Sequence, residues 1–327
     1  FTRPEVANYF NQKFVNVKYD MESAEGDALK EKYNVKVFPT YLFVMPDGRE
    51  IHRIVGAHTA GNDFYDWSKM AVTPGQSYVE LEERFNNGER NPAMMFDYMR
   101  ALRMAGEQQK EAKITQDYLA LMTKDHFMDK SYWAAVKLFL NNPTSREFRI
   151  IMDNREEIGE AIGIAEVDSK IYETIDKQIK TNISFVPYEG HPFDKEAESA
   201  LIEMLQKSEI PQRNELLARA KAAQYIRNGD IYELAYMVDA VLDFNIMESY
   251  KGLNANLDYY AIPVSKVALD DMLLRKALAW SEYSCANEPK PSERAGYLRT
   301  KAILLEKLGR NKEAELARKE AAAAEKT

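Results

Sequence analysis

The chain has 327 residues, of which 45% are apolar and 29% charged, and a formal net charge of −8. That length suits about two domains, and the composition is that of a globular protein with a core. The acidic balance speaks against nucleic acid, which needs a basic face, and no apolar run reaches the roughly 18 to 20 residues that span a bilayer. Cys285 is the single cysteine, so these residues contain neither an internal disulfide framework nor a C-x-x-C.

In chain order, Thr2-Arg3-Pro4-Glu5 reads as the cap and first turn of a helix, with Val6 and Phe10 on one face. Phe14 to Asp20 is predicted as a strand, with Val15, Val17 and Tyr19 on one side and Asn16, Lys18 and Asp20 on the other. Asp20 and Glu22 belong to a solvated strand end rather than to an acid–base pair. Asp27 to Tyr33 is a short helix with Leu29 and Tyr33 four apart. Then comes the most informative run, Val35-Lys36-Val37-Phe38-Pro39-Thr40 followed by Tyr41 to Met45. The latter is apolar throughout and reads as a strand buried on both faces, with Pro39 at its start where a missing amide donor is tolerated. Pro46-Asp47-Gly48 is a turn, Arg49 to Val55 returns as the second strand of a hairpin, and Gly56 closes it. A helix follows over Ala60 to Met70. His52 and His58 have no third ligand at metal spacing and are expected on the surface.

Taken together, this order resembles the C-terminal two-thirds of a thioredoxin-like domain, most closely exported bacterial thioredoxin-family proteins. The landmarks are Phe14 to Asp20, Tyr33 with Val35, Phe38-Pro39-Thr40, Leu42-Phe43, Asp47-Gly48 and Arg53 to Gly56. The resemblance covers residues 1–72. It implies a cis-proline at Pro39 facing redox-active cysteines, a substrate-binding groove shaped by Phe38, Pro39 and Thr40, and a peptide paired with the backbone at Phe38. It also implies an earlier strand between Phe14–Asp20 and Tyr41–Met45, without which Phe14–Asp20 has an unpaired edge and open apolar surface. That strand would lie before Phe1 in the family's layout, and a C-x-x-C, if present, about ten residues before Phe1. An exported, periplasmic location is implied in the same way.

Thr73 to Ser77, with its Pro74-Gly75 breaker, is read as a linker, and 78–327 as a helical domain. Helices are predicted over Tyr78–Phe85, Pro92–Ala105, Glu107–Met122, Lys130–Leu140, Ser145–Ile158, Val167–Ile179, Lys195–Gln206, Arg213–Arg227, Ile231–Phe244 and Lys266–Tyr283. Glu293–Leu308 and Lys312–Glu325, joined by Gly309-Arg310-Asn311, form a hairpin that resembles a tetratricopeptide-type repeat. Ala302, Gly309, Ala314 and Ala321 stand where that repeat uses small residues, whereas Leu298, Leu305 and Arg318 depart from its aromatic positions. Asn91 to Met122 is a looser copy. Such helix pairs stack into solenoids that bind other chains. Ser184–Asp194 and Asn245–Pro263 are read as loops. His126 and His191 stand alone, and Cys285 has no basic neighbour in sequence to lower its pKa, which makes it an inert thiol.

The fold expected is therefore a partial α/β thioredoxin-like domain followed by an all-α, helix-hairpin repeat-like domain. The function expected is thiol–disulfide exchange on protein disulfides, with the helical domain binding a substrate or partner. The alternative is a redox-inactive protein-binding module. No catalytic side chain, metal or cofactor is assigned within these residues.

Overall fold

The computed structural model describes residues 3–57, 63–181, 194–247, 249–267 and 270–326. The first elements are α1 (Pro4–Lys13), α2 (Ala24–Lys32), β1 (Thr40–Val44), β2 (Glu50–Val55) and α3 (Asp63–Met70). Five helices follow: α4 (Tyr78–Asn86), α5 (Pro92–Met104), α6 (Gln108–Ala120), α7 (Lys124–Met128) and α8 (Lys130–Phe139). Together they make one compact unit that ends at Leu140. The second unit begins at Asn141 and holds α9 (Arg146–Asp153), α10 (Arg155–Ile162), α11 (Ile164–Thr181), α12 (Lys195–Lys207) and α13 (Arg213–Asn228). It continues through α14 (Ile231–Asp243), α15 (Leu253–Val267), α16 (Asp271–Asn287), α17 (Pro291–Lys307) and α18 (Asn311–Ala324).

In the first unit β1 and β2 are antiparallel, with Tyr41 opposite Ile54 and Phe43 opposite His52, and an irregularity after Phe43. The turn between them follows from its residues. Asp47 Oδ1 accepts the Arg49 amide at 2.9 Å, the Gly48 amide donates to the Met45 carbonyl at 2.8 Å, and Gly48 takes φ +84°. Tyr41 and Phe43 share a face, as a period of two requires, and that face meets an aromatic core from α1 and α3. Phe10 stacks on Phe64 at 5.6 Å, Phe14 meets Phe43 edge-on at 5.3 Å, and Tyr41 packs on Phe64 at 4.5 Å. Val6, Phe10, Phe43, Ile54 and Ala71 are its buried centre.

The run Tyr41–Met45 is only half covered, not buried on both faces. Phe43 is buried while Val44 and Met45 are exposed, because α1 and α3 cover one side. The predicted strand Phe14–Asp20 is not in a ladder. Phe14 has extended backbone (φ −134°, ψ 153°), but the segment pairs with no strand among the described residues. Its apolar face points to solvent, with Val15 94% and Val17 65% exposed. The sheet has two strands among the described residues. Residues 73–77, expected as a linker, form turns inside the first unit, where α4 and α5 pack on β2.

The second unit is all-helical among its described residues. Asn154 breaks the helix expected over Ser145–Ile158 into α9 and α10. From α13 onward three helix hairpins stack. α13 pairs with α14, α15 with α16 and α17 with α18, while α13–α15, α15–α17, α14–α15 and α16–α17 join each hairpin to the next. Two of these connections end in the same cap. At Gly309 (φ +73°) the Arg310 amide reaches the Leu305 carbonyl at 2.9 Å, and at Gly229 (φ +78°) the Asp230 amide reaches Tyr225 at 2.8 Å. Both are six-to-one closures that need a left-handed residue, which glycine adopts without Cβ strain. Ala302, Ala314 and Ala321 are buried as expected.

The segment Asn245–Pro263 departs from expectation. It is read as a loop from its proline and tyrosines, yet α15 runs through Leu253–Val267 with Pro263 inside it. An interior proline costs a helix about 3 kcal/mol. Packing against α16 and α17 offsets that cost by burying Leu257, Tyr260, Ala261 and Val264.

Candidate functional site

The segment Val35 to Thr40 links α2 to β1, and its position is set from both sides. Ser23 caps α2, and Gly26 sits so close to Asp20 that an added Cβ would fall 2.0 Å from the Asp20 carbonyl oxygen. α2 ends with Asn34 at φ +49°, and the amides of Asn34 and Val35 donate back to the carbonyls of Glu31 (3.3 Å) and Lys30 (3.0 Å). Arg53 on β2 anchors this end to the sheet. Its Nη2 donates to the Tyr33 carbonyl at 2.7 Å, and its guanidinium grips Glu50. The Tyr33 hydroxyl donates to the Gly48 carbonyl at 3.0 Å.

Phe38, Pro39 and Thr40 are brought together at the head of β1. The Phe38–Pro39 peptide bond is cis, the geometry that the resemblance implies at this position. Thr40 Oγ1 donates to the Val37 carbonyl at 2.6 Å, and the Gly56 amide donates to the Pro39 carbonyl at 2.8 Å. Phe38 is 53% exposed, and its amide and carbonyl meet no hydrogen-bond partner among the described residues. Val37 beside it is also exposed. What this site offers is an exposed main-chain donor and acceptor at a bend just before β1, beside an aromatic ring. It contains no nucleophile and no acid–base pair.

His52 is a correction to the surface placement read from sequence. It is fully buried on β2, where its Nδ1 accepts the Tyr78 amide at 3.0 Å and so ties the start of α4 to the sheet. Burial pushes its pKa down to about 4. The alternation Ile51-His52-Arg53-Ile54, which places His52 on the face of Ile54, could have shown this. His58 and His191 lie outside the described residues. Cys285 is half-buried on α16, and burial pushes its thiol up to about 11, the opposite of a reactive thiolate. Among the described residues no three His, Cys, Asp or Glu side chains converge as metal ligands, and no helix is long and apolar enough to cross a membrane.

No family model, curated protein or solved structure matches this chain.

Proposed function

We propose that residues 1–72 are the peptide-binding part of a thioredoxin-like thiol–disulfide oxidoreductase that acts on protein disulfides, with the helical hairpins holding a substrate or partner protein. The observation that supports this is the exposed main chain of Phe38 at the head of β1, which has no hydrogen-bond partner among the described residues. An extended peptide can donate to and accept from that backbone as an added strand, while the Phe38 ring packs on its side chains. Disulfide exchange needs an attacking thiolate, so this reading requires a C-x-x-C outside these residues, and an exported location goes with it.

A second reading is peptide capture without turnover. It is favoured by Cys285, whose half-buried, upshifted thiol is unsuited to exchange.

The test pairs binding with turnover. Fluorescence anisotropy would follow an extended, cysteine-containing peptide, and insulin reduction would be measured on the protein expressed from its complete gene. Binding weakened about tenfold by Phe38→Ala, together with insulin reduction, supports the oxidoreductase. The same binding without reduction selects the capture module. Absence of binding, or binding indifferent to Phe38→Ala, removes both.

A further inference from the structure

Helices α4 to α8 of the first unit enclose a half-open cavity of about 290 Å³ that no function so far described uses. Its size lies at the lower end of small-ligand pockets. The walls are apolar and aromatic: Phe85 from α4, Met95 from α5, Ile114 and Tyr118 from α6, and Tyr132 from α8. The Tyr118 and Tyr132 rings are nearly parallel, 12° apart in plane with centroids at 6.3 Å, and His126 stands edge-on to Tyr132 at 4.7 Å. The Tyr118 hydroxyl is buried without a hydrogen-bond partner, so the chain by itself leaves this wall unsatisfied.

The same cavity carries charges of both signs. Arg90 lies over the Phe85 ring at 3.7 Å, and its Nη1 donates to the carbonyls of Phe85 and Glu89, both at 2.6 Å. Guanidinium has five donors, and Nε and Nη2 meet no acceptor among the described residues. Asp117 is exposed and has no ion-pair partner among the described residues. His126 Nδ1 accepts the Thr123 amide at 3.0 Å, which leaves the proton of the neutral ring on Nε2 as a donor.

An apolar cavity with one carboxylate and two donor groups suits a particular class of guest. We propose that it binds a free α-amino acid with an aromatic or large aliphatic side chain. The side chain fills the space between Phe85, Tyr118 and Tyr132. The carboxylate meets Arg90 and His126, and the ammonium group meets Asp117. A plain hydrocarbon would leave both charges idle, and a purely anionic or cationic amphiphile would use only one of them. The site shares no residue with Phe38-Pro39-Thr40, so this inference stands or falls separately from the proposed function.

The test is calorimetric titration of the whole chain with L-phenylalanine, phenethylamine (no carboxylate) and 3-phenylpropionate (no ammonium). L-phenylalanine is expected to bind, and each truncated analogue to bind about tenfold more weakly. Asp117→Asn should remove the preference over 3-phenylpropionate, and Arg90→Gln the preference over phenethylamine. Both side chains are exposed, so folding is not at stake. Leu121→Trp at the exposed mouth, where Leu121 is 74% accessible, should block binding of all three. No binding of L-phenylalanine at millimolar concentration, or binding that Leu121→Trp leaves intact, overturns the assignment. Equal affinity for the three compounds shows a simple apolar hole and overturns it as well.

Discussion

Asp258 on α15 and Thr300 on α17 form a buried pair in which one carboxylate oxygen is bonded and the other is not. Thr300 Oγ1 donates to Oδ2 at 3.3 Å, while Oδ1 is buried without a partner. One neutral donor does not compensate a buried charge. Burial therefore pushes the Asp258 carboxyl up to about 6 from an ordinary 3.8, with the Thr300 hydrogen bond opposing.

The sign of the resulting pH dependence is fixed by the upward shift. Between about pH 4 and 6 the unfolded chain ionises this group while the folded chain keeps it protonated, so stability falls as pH rises and stays low above 6. Asp258→Asn should remove that slope and stabilise the second unit at pH 7 by on the order of 1–3 kcal/mol. Urea denaturation at pH 5 and pH 7.5, followed by hydrogen exchange in α15 and α17, measures it. An unchanged or lower stability of the Asn variant at pH 7.5 would refute the assignment.

His52 predicts the opposite slope in the first unit. Its folded pKa of about 4 lies below the ordinary 6.5 because burial disfavours the charged ring. Stability is complete above pH 6.5 and is lost as pH falls toward 4, since the unfolded chain takes up the proton first. Exchange protection in β2 and α4 should fall on acidification through this window. His52→Ala should flatten the dependence and cost about 2–3 kcal/mol at pH 7.5, from a cavity and an orphaned Tyr78 amide.

Arg219 on α13 holds a buried charge cluster. Its guanidinium donates to Asp176 at 2.5 Å and Glu215 at 3.2 Å and lies 4.3 Å from the Tyr250 ring. Arg219→Met keeps volume but strands Glu215, whose carboxylate retains only the Tyr172 hydroxyl, while Asp176 keeps Lys180. A loss of about 3–5 kcal/mol is expected. Adding Glu215→Gln should recover a good part of it, because the cost is an unpaired charge rather than lost packing. Chemical denaturation of the single and double variants decides this, and a double variant no better than the single rejects it.

Ala302 on α17 and Ala314 on α18 are both buried in one core cluster, and the two helices pack against each other. Replacing either with leucine should destabilise the hairpin by about 1–3 kcal/mol, because the helices must separate to admit the added methylenes. Leu316→Ala, on the exposed side of α18, serves as the control and should change stability by less than about 0.5 kcal/mol. A tolerated Ala302→Leu would mean that the helices do not approach as described.

Much of the local structure was legible residue by residue. Pro46-Asp47-Gly48 specifies a turn through side-chain bonding and a positive φ, whereas Ser77, read as part of a linker, forms with Glu80 the capping box of α4. The apolar periodicity of α5 and α8 places their buried faces, whereas on α6 it holds for Ile114 and Tyr118 and fails at Leu121, which is exposed. Phe38, Pro39 and Thr40 were singled out from the resemblance, and the structure adds Val37, whose carbonyl is held by Thr40, and Arg53 with Tyr33, which anchor the segment from the sheet. Neither anchor carries a local signal, since each contact joins residues about 20 apart or depends on a backbone turn. The cavity around Tyr118 was equally hidden, because His126 and Asp117 look unremarkable until α4 to α8 bring them to one opening.

Sequence alone determined the Pro46–Gly48 turn, the positions of most helices and the Gly309 connection of the last hairpin, because those depend on interactions within a few residues. Tertiary structure decided three things that sequence could not. Residues 14–20 join no strand ladder among the described residues, His52 is interior, and a helix passes through Pro263. Each depends on which surfaces are covered by distant elements, and burial can outweigh a local preference worth only a few kcal/mol.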